Sequence, residues 1–433
     1  MGAMSPGTSA WREFREAAAA FSRPARFYLG AEFLMWTAHG IFSVLFNLYL
    51  VEAGASEGFV GRAVSSSGVG MVLAALPAGW LADRWGRRRT LMLGAVLEGA
   101  GHLLRALSTH ETVVLGAGLA AGLGQSLFQI AAAPFLTDHS TPRERTHLFS
   151  TFFASALLAG VVGNLLGGLL PSVVRAVAPG ATVFTAYRVG LLVGAVFAAS
   201  AALPLLALAG LAEPGPASGA PPPAPHEMRR LRPIVLNGGL TGLGAGLVIP
   251  FMNLYFRNRF QCSSAQIGVW FGVAQVCTAF ASLCAPAVAR RLGKLRSAVG
   301  SELLSLPFLV TLGAERRLSV AVVAFWLRAS FMQASTPLVQ AFTMEVLPRE
   351  LRARATSLTN MAWNIGWAAS ATLAGAVIER FGYAAPFYMT ATLYLTAALT
   401  FYGAFRRTPE TQVPASRLSE EAKGLRGEGA QPD

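Results

Sequence analysis

Several ionisable side chains lie inside stretches that are otherwise apolar, and these are the residues with chemistry to offer. Glu32, Trp36, His39 and Ser43 follow one another at three- and four-residue steps, which brings them to one face of a helix. A carboxylate and an imidazole along such a face can carry a proton. For His39 a second reading stands beside this one, a hydrogen-bonded packing residue. Glu98, His102 and Arg105 are spaced i, i+4 and i+7, which suits a mutually satisfied polar stripe. Arg328 follows Arg317 by eleven residues, about 16 Å along a helix, and so lies deep in its apolar run. Amides and aromatics recur in other runs: Gln125, Gln129, Gln275, Gln333 and Gln340, then Asn360, Trp363, Asn364 and Trp367. Such groups suit an amphipathic organic solute better than a bare ion, and interhelical hydrogen bonding is their alternative use. Cys262, Cys277 and Cys284 match no zinc or redox spacing. With no nucleophile–base or metal-cluster pattern, neither an enzyme nor a metal or other cofactor is expected.

Composition sets the elements that must position these groups. Of 433 residues, 53% are hydrophobic and 13% charged, against about 25% charged in a soluble domain. The chain is therefore expected to sit in a lipid bilayer as an all-α integral membrane protein. A helix crossing a ~30 Å hydrocarbon core needs about 20 mostly apolar residues. Expected spans are Phe27–Val51, Gly58–Ala82, Leu91–Leu107, Thr112–Leu136, His147–Leu170 and Phe184–Leu211. A second set is Pro233–Phe256, Ser264–Ala289, Ser297–Gly313, Leu318–Phe342, Ala355–Ile378 and Ala384–Phe405. Twelve spans put both termini on one side. That side collects Arg84 to Arg89, Arg143, Arg145, Arg290, Arg291, Lys294, Arg349, Arg352 and Arg354, which the positive-inside rule assigns to the cytoplasm. The net charge of +13 thus lies in short loops, not on a nucleic-acid-binding domain.

The expected organisation is a cytoplasmic N-terminal segment (1–26), a six-helix bundle (27–211), a cytoplasmic linker (212–232), a second bundle (233–406) and a cytoplasmic tail (407–433). Trp11–Phe21 reads as a short amphipathic helix at the membrane surface, not a signal peptide. The linker, rich in Pro, Gly and Ala before it turns basic, reads as a stiff tether. The two bundles repeat each other. Asn47-Leu48-Tyr49-Leu50 matches Asn253-Leu254-Tyr255-Phe256, and Pro142-Arg143-Glu144 matches Pro348-Arg349-Glu350, at 253 − 47 = 348 − 142 = 206. Ala82 to Arg87 faces Ala289 to Lys294 at 207, and Glu98 faces Glu302 at 204. Parallel repeats of this kind place a binding site near the midplane between halves that rock about it.

Between the second and third spans, Gly79-Trp80-Leu81-Ala82-Asp83-Arg84-Trp85-Gly86-Arg87-Arg88-Arg89 closely resembles the signature loop of the major facilitator superfamily. The architecture of the whole chain agrees, with twelve spans and a degraded second copy of the loop. The resemblance implies two six-helix bundles related by a pseudo-two-fold axis, acting as a monomer in the cell (inner) membrane. It also implies a cytoplasmic gate of Gly79, Asp83, Arg84, Gly86, Arg87 and Arg88, with Asp83 meeting the start of helix 11 around Arg352, Arg354 and Thr356. Gly79 allows close approach of a neighbouring helix, Gly86 a tight turn, and the arginines can hold adjacent carboxylates. The acid position of the second copy holds Arg290, so the lock is one-sided.

The resemblance further places helix 10, and Arg328 with it, beside a central cavity, and helix 3 away from it. Glu98, His102, Arg105 and Glu302 are therefore expected to be structural. Proton coupling is expected from Glu32, His39 and Arg328, and the substrate cavity from Trp36, Gln125, Gln129, Gln275, Gln333, Asn360, Trp363 and Asn364. Gly160 to Gly168 is similar to the glycine-rich segment of family antiporters, with Asn164 where a proline is usual. Helix 4 lacks the arginine common in proton-coupled drug exporters, and Gly118 lies near its place, with Arg328 as a candidate substitute. The function expected is proton-coupled efflux of a small amphipathic solute, with proton-coupled uptake or lipid flipping on the same fold as alternatives.

Overall fold

The computed structural model describes residues 21–208 and 225–408. The surface helix expected over Trp11–Phe21 thus lies outside the described residues apart from Phe21, as do 409–433 and 209–224, which take in 212–224 of the expected linker. Twelve long helices run through the described residues: α1 (Arg23–Glu52), α2 (Glu57–Trp85), α3 (Arg87–Leu107), α4 (Glu111–Asp138), α5 (Pro142–Val177), α6 (Val183–Ser200), α7 (Pro225–Val248), α8 (Ser264–Leu292), α9 (Lys294–Ala314), α10 (Leu318–Val346), α11 (Arg349–Phe381) and α12 (Ala384–Phe405). A short helix, Ala202–Leu206, extends α6. The helix α7 begins at Pro225, within the stretch 212–232 expected as linker.

Among the described residues, ten helices are long and apolar enough to cross a membrane. The two that fall short are α3, loaded with Arg87, Arg88, Arg89, Glu98 and Arg105, and α12, diluted by threonines and tyrosines. Both pack into the bundles like the rest. A helix satisfies its own backbone groups, and hydrocarbon offers no other partners. Short polar caps begin several of them. Ser56 Oγ accepts from Phe59 N at 3.2 Å on α2, and Ser263 and Gln266 bond reciprocally at the start of α8. The outer surface exposes large apolar side chains, among them Leu283, Phe280 and Phe153, as a lipid-facing surface requires.

The duplication is visible in the packing. In the first bundle α1 packs on α5 and α6, and α4 on α2 and α3; α7 packs on α11 and α12, and α10 on α8 and α9, in the same way. Individual bonds repeat too. Tyr49 Oη donates to Ala106 O at 3.2 Å and Tyr255 Oη to Leu312 O at 2.7 Å, both partners 206 residues apart. Gly86 and Gly293 make the same turn, at φ 95° and 85°, where only glycine sits without strain. Arg87 pairs with Asp138, and Lys294 with Glu345, each 207 residues on.

The bundles meet along α2–α11 and α5–α8. Among the described residues, the hydrogen bonds between them lie toward the face opposite the arginine-rich loops. Gly58 N donates to Glu379 Oε1 at 2.7 Å, Ser65 Oγ to Ala368 O, and Ser264 Oγ to Gly168 O at 3.1 Å. On the pseudo-two-fold axis the repeated asparagines clasp. Asn47 Nδ2 donates to Pro250 O and Asn253 Oδ1, and Asn253 Nδ2 donates to Ser43 O and Val44 O. Pro250, which has no N–H to give, breaks the seventh span. The chain passes through a 3-10 turn (Ile249–Phe251) before the helix resumes as Met252–Phe260.

Candidate transport site

Between the bundles lies a cavity of about 570 Å³, within the range that holds a small organic ligand. The α1 helix supplies Trp36, His39, Phe42, Ser43, Phe46 and Asn47, and the broken seventh span supplies Ile249, Pro250 and Met252. Gln125 and Asn164 come from the first bundle, and Phe271, Gln275, Phe325, Arg328, Gln333 and Trp367 from the second. A second chamber of about 330 Å³ lies within the second bundle and shares Ile249, Met332 and Gln333 with the first. Asn360 and Trp363 line this smaller chamber, beside Glu302, Asn237 and Tyr394. Of the expected cavity residues, Trp36, Gln125, Gln275 and Gln333 reach the main cavity. Gln129 is exposed one turn beyond Gln125, and Asn364 is half-buried outside both linings.

The clearest correction concerns α3. Glu98, His102 and Arg105 were expected away from the cavity, and all three line it. Nor do they satisfy one another. Glu98 Oε1 lies 2.7 Å from His39 Nε2 on α1, a close ion-pair contact set off the axis of the ring N–H. His102 Nδ1 bonds Glu98 O at 2.8 Å and its ring meets Phe42 edge-on at 4.0 Å. Arg105 reaches across to α2, donating to Ala63 O at 2.6 Å and Ser66 Oγ at 3.3 Å. Small residues on both helices explain this reach. A Cβ at Gly101 would come within 2.5 Å of Ala117 O, and one at Gly124 within 2.5 Å of Glu98 N. α3 therefore lies so close to α4 that its long side chains pass over it into the cavity. At Gly118 a Cβ would stand 2.2 Å from Arg105 Nη2. The arginine missing from helix 4 is thus replaced in space by Arg105, not by Arg328.

Arg328 is buried, lines the cavity from α10 and donates to Tyr394 Oη at 3.2 Å. Glu32 is buried outside the lining. Its two oxygens accept from Tyr28 Oη at 2.8 Å and Trp36 Nε1 at 2.6 Å, so it holds the indole that lines the cavity. Asn164 accepts from Ser43 Oγ at 2.9 Å. The surrounding glycines of α5 serve close packing: a Cβ at Gly163 would meet Thr37 O at 2.3 Å, and one at Gly168 would meet Ser264 O at 2.8 Å.

The residues expected to form a gate make no bond to α11 among the described residues. Asp83 is exposed and has no partner among the described residues, and nothing lies within 4 Å of a Cβ built at Gly79. Arg84 stacks over Trp80 of its own helix. Arg87 pairs with Asp138 and donates to Pro134 O at 2.9 Å, and Arg88 donates to Leu205 O at 3.0 Å, all within the first bundle. Across the gap Arg352 Nε caps Leu347 O at 3.1 Å. The bundles are splayed at the arginine-rich face and closed at the other, so Asp83 does not reach α11.

Two pseudo-symmetric membrane bundles, closed at one face around a solute-sized cavity, have the architecture of an integral membrane transporter. The Major Facilitator Superfamily model matches residues 28–238 and 234–429, one match per half, and the chain belongs to that superfamily of membrane transporters. It is 30% identical over 155 residues to a Na(+), Li(+), K(+)/H(+) antiporter of Planococcus maritimus, covering 35% of this chain and 36% of that one. It is 30% identical over 140 residues to the 4-hydroxybenzoate transporter PcaK of Pseudomonas aeruginosa, covering 29% and 31%. The matched stretches thus span about a third of those relatives' lengths. In structure it resembles a bacterial homologue of the human lysosomal transporter Spinster in an inward-facing, occupied conformation (TM-score 0.71, 14% identity, 88% of this chain and 96% of that one). It also resembles a D-xylose-proton symporter (TM-score 0.68, 14% identity, 89% and 97%). At these identities the two likenesses establish the fold.

Proposed function

We propose that the chain is a secondary transporter that moves a small amphipathic organic solute by alternating access, coupled to protons. The observation that carries this reading is the His39–Glu98 contact in the wall of the cavity between the bundles. A proton taken there changes the charge facing the solute, which is what coupling requires. Aromatic side chains around a few amides and charges suit a cargo with an apolar body and a polar end. The protein works as a monomer in the cell membrane, with both termini, the linker and the open mouth of the cavity facing the cytoplasm. When the bundles rock the other way, the seal at the far face opens and Asp83 meets the start of α11, with the positive end of that helix drawing the carboxylate.

The glycine-rich segment of α5, similar to that of family antiporters, favours efflux in exchange for protons, but close packing accounts for those glycines as well, and the sign of the gradient dependence decides the direction. The test is purified protein in liposomes with an imposed pH gradient and a panel of radiolabelled drugs, sugars, aromatic acids and lipids. A solute whose movement depends on the gradient is expected, and the sign of the dependence gives the direction. Solute flux that ignores the gradient for every compound moved would refute proton coupling. Lipid scrambling as the sole activity would favour a flippase.

A further inference from the structure

We infer that the cargo of this cavity is an organic anion, held between Arg105 of the first bundle and Arg328 of the second. The inference rests on the transporter reading and adds the charge of what is carried. Both guanidiniums line the same cavity, and their residues are only 6% and 4% exposed. The bonds of Arg105 go to Ala63 O and Ser66 Oγ, and that of Arg328 to Tyr394 Oη, all made from Nη2. The Nε of each has no partner, and neither group has a carboxylate within ion-pair distance among the described residues. A guanidinium withdrawn from bulk water needs a counter-charge or a wet cavity.

The lining contains one carboxylate, Glu98, and it faces His39. With His39 protonated the lining sums to +1 +1 −1 +1 = +2, and with His39 neutral to +1. Glu32 lies outside the lining with both oxygens already bonded to Tyr28 and Trp36. A cationic solute would meet uncompensated positive charge in either state, whereas an anion supplies what the two arginines lack. The planar guanidinium fork matches a carboxylate in shape as well as charge. Phe42, Phe46, Phe271 and Phe325 offer the apolar wall for the rest of the molecule. Gly118 keeps the room that Arg105 occupies, so the position of one half of the clamp is built into α4.

The test uses three compounds with one aromatic body: naphthoate, naphthalenemethanol and naphthylmethylammonium. Each is titrated against the purified full-length protein by calorimetry. Naphthoate is expected to bind tighter than either analogue by roughly tenfold or more, the scale of a charge-assisted bond. Arg105→Gln and Arg328→Gln are each expected to remove about that factor for naphthoate while leaving the alcohol within about twofold. Should a variant not fold, the ranking on the unaltered protein decides. Naphthoate binding no tighter than the alcohol or the ammonium, including no binding by any of the three, overturns the inference. Whatever binds is then placed in liposomes under a pH gradient. An ammonium compound that binds best and moves with protons leaves the transporter reading standing and sinks the anion. Naphthoate that binds through both arginines but never moves does the reverse.

Discussion

The seal at the face opposite the arginines rests on backbone-to-backbone closeness along α2 and α11, and one added methyl group should disturb it. A Cβ at Gly61 would stand 2.6 Å from Ala371 O, 3.2 Å from Thr372 O and 3.3 Å from Gly375 N. Ordinary contact begins near 3.4 Å, and a carbonyl inside a helix cannot swing aside as a side-chain tip can. Overpacking of this kind costs about 1–3 kcal/mol. Only the conformation with this seam closed bears that cost, so Gly61→Ala should shift the balance toward the opposite state by about 5- to 150-fold. Ser67 lines the cavity, and Ser67→Cys in a background lacking the three native cysteines makes a reporter. An impermeant thiol reagent, applied to vesicles of each orientation, should modify it faster from the opposite face and more slowly from the arginine-rich face once Gly61→Ala is added. Unchanged rates from both faces, in protein that still elutes as a single folded species, would refute the claim that this seam closes the cavity.

Two further outcomes follow from local geometry. Gly118→Ala places its methyl 2.0 Å from Ser66 Oγ and 2.2 Å from Arg105 Nη2, side-chain ends that can shift, so it should displace the guanidinium at a cost of about 1 kcal/mol, the low end for overpacking; thermal unfolding in a cycle with Arg105→Ala should show non-additivity, and simple addition of the two losses would mean Arg105 does not fill that space. Cys262 is buried in the turn before α8, and burial pushes its thiol up to about 11. The reactive thiolate is then about a thousandth of the total at pH 8 and grows tenfold per unit toward pH 11. Its alkylation in folded protein should follow that slope; rapid alkylation near neutral pH would contradict the burial.

Much of the architecture was legible because a bilayer leaves few choices. Twelve apolar runs, the arginine side and the 206-residue repeat lead directly to two bundles, and Asn47 and Asn253, picked out only as repeat markers, prove to be the residues that clasp on the axis. The site was less legible because facing depends on how closely helices approach. The stripe Glu98, His102, Arg105 was visible in the sequence, yet its direction depends on Gly101 and Gly124, which let α3 sink against α4. The absence of an arginine at Gly118 was visible too, but that Arg105 of α3 fills the space there could be seen only in the packing. Glu32 had the right spacing for the cavity face, but the competing donors Tyr28 and Trp36 on its own helix turned the carboxylate out of the lining. The break at Pro250 went unread because proline is tolerated in membrane helices whose freed backbone groups find partners elsewhere. The loop expected to act as a gate was legible from its residues, while the lack of a bond from Asp83 to α11 is a property of the conformation.

Coupling through the wall of the cavity is the central claim, and one paired measurement addresses it most directly. Proton flux and solute flux are recorded together in liposomes for the unaltered protein, Glu98→Gln and His39→Gln, using the solute that the panel identifies. The unaltered protein should move protons only when solute is present. Both variants should still bind the solute, with proton movement lost from the cycle. Solute-dependent proton flux that persists undiminished in both variants would contradict the account.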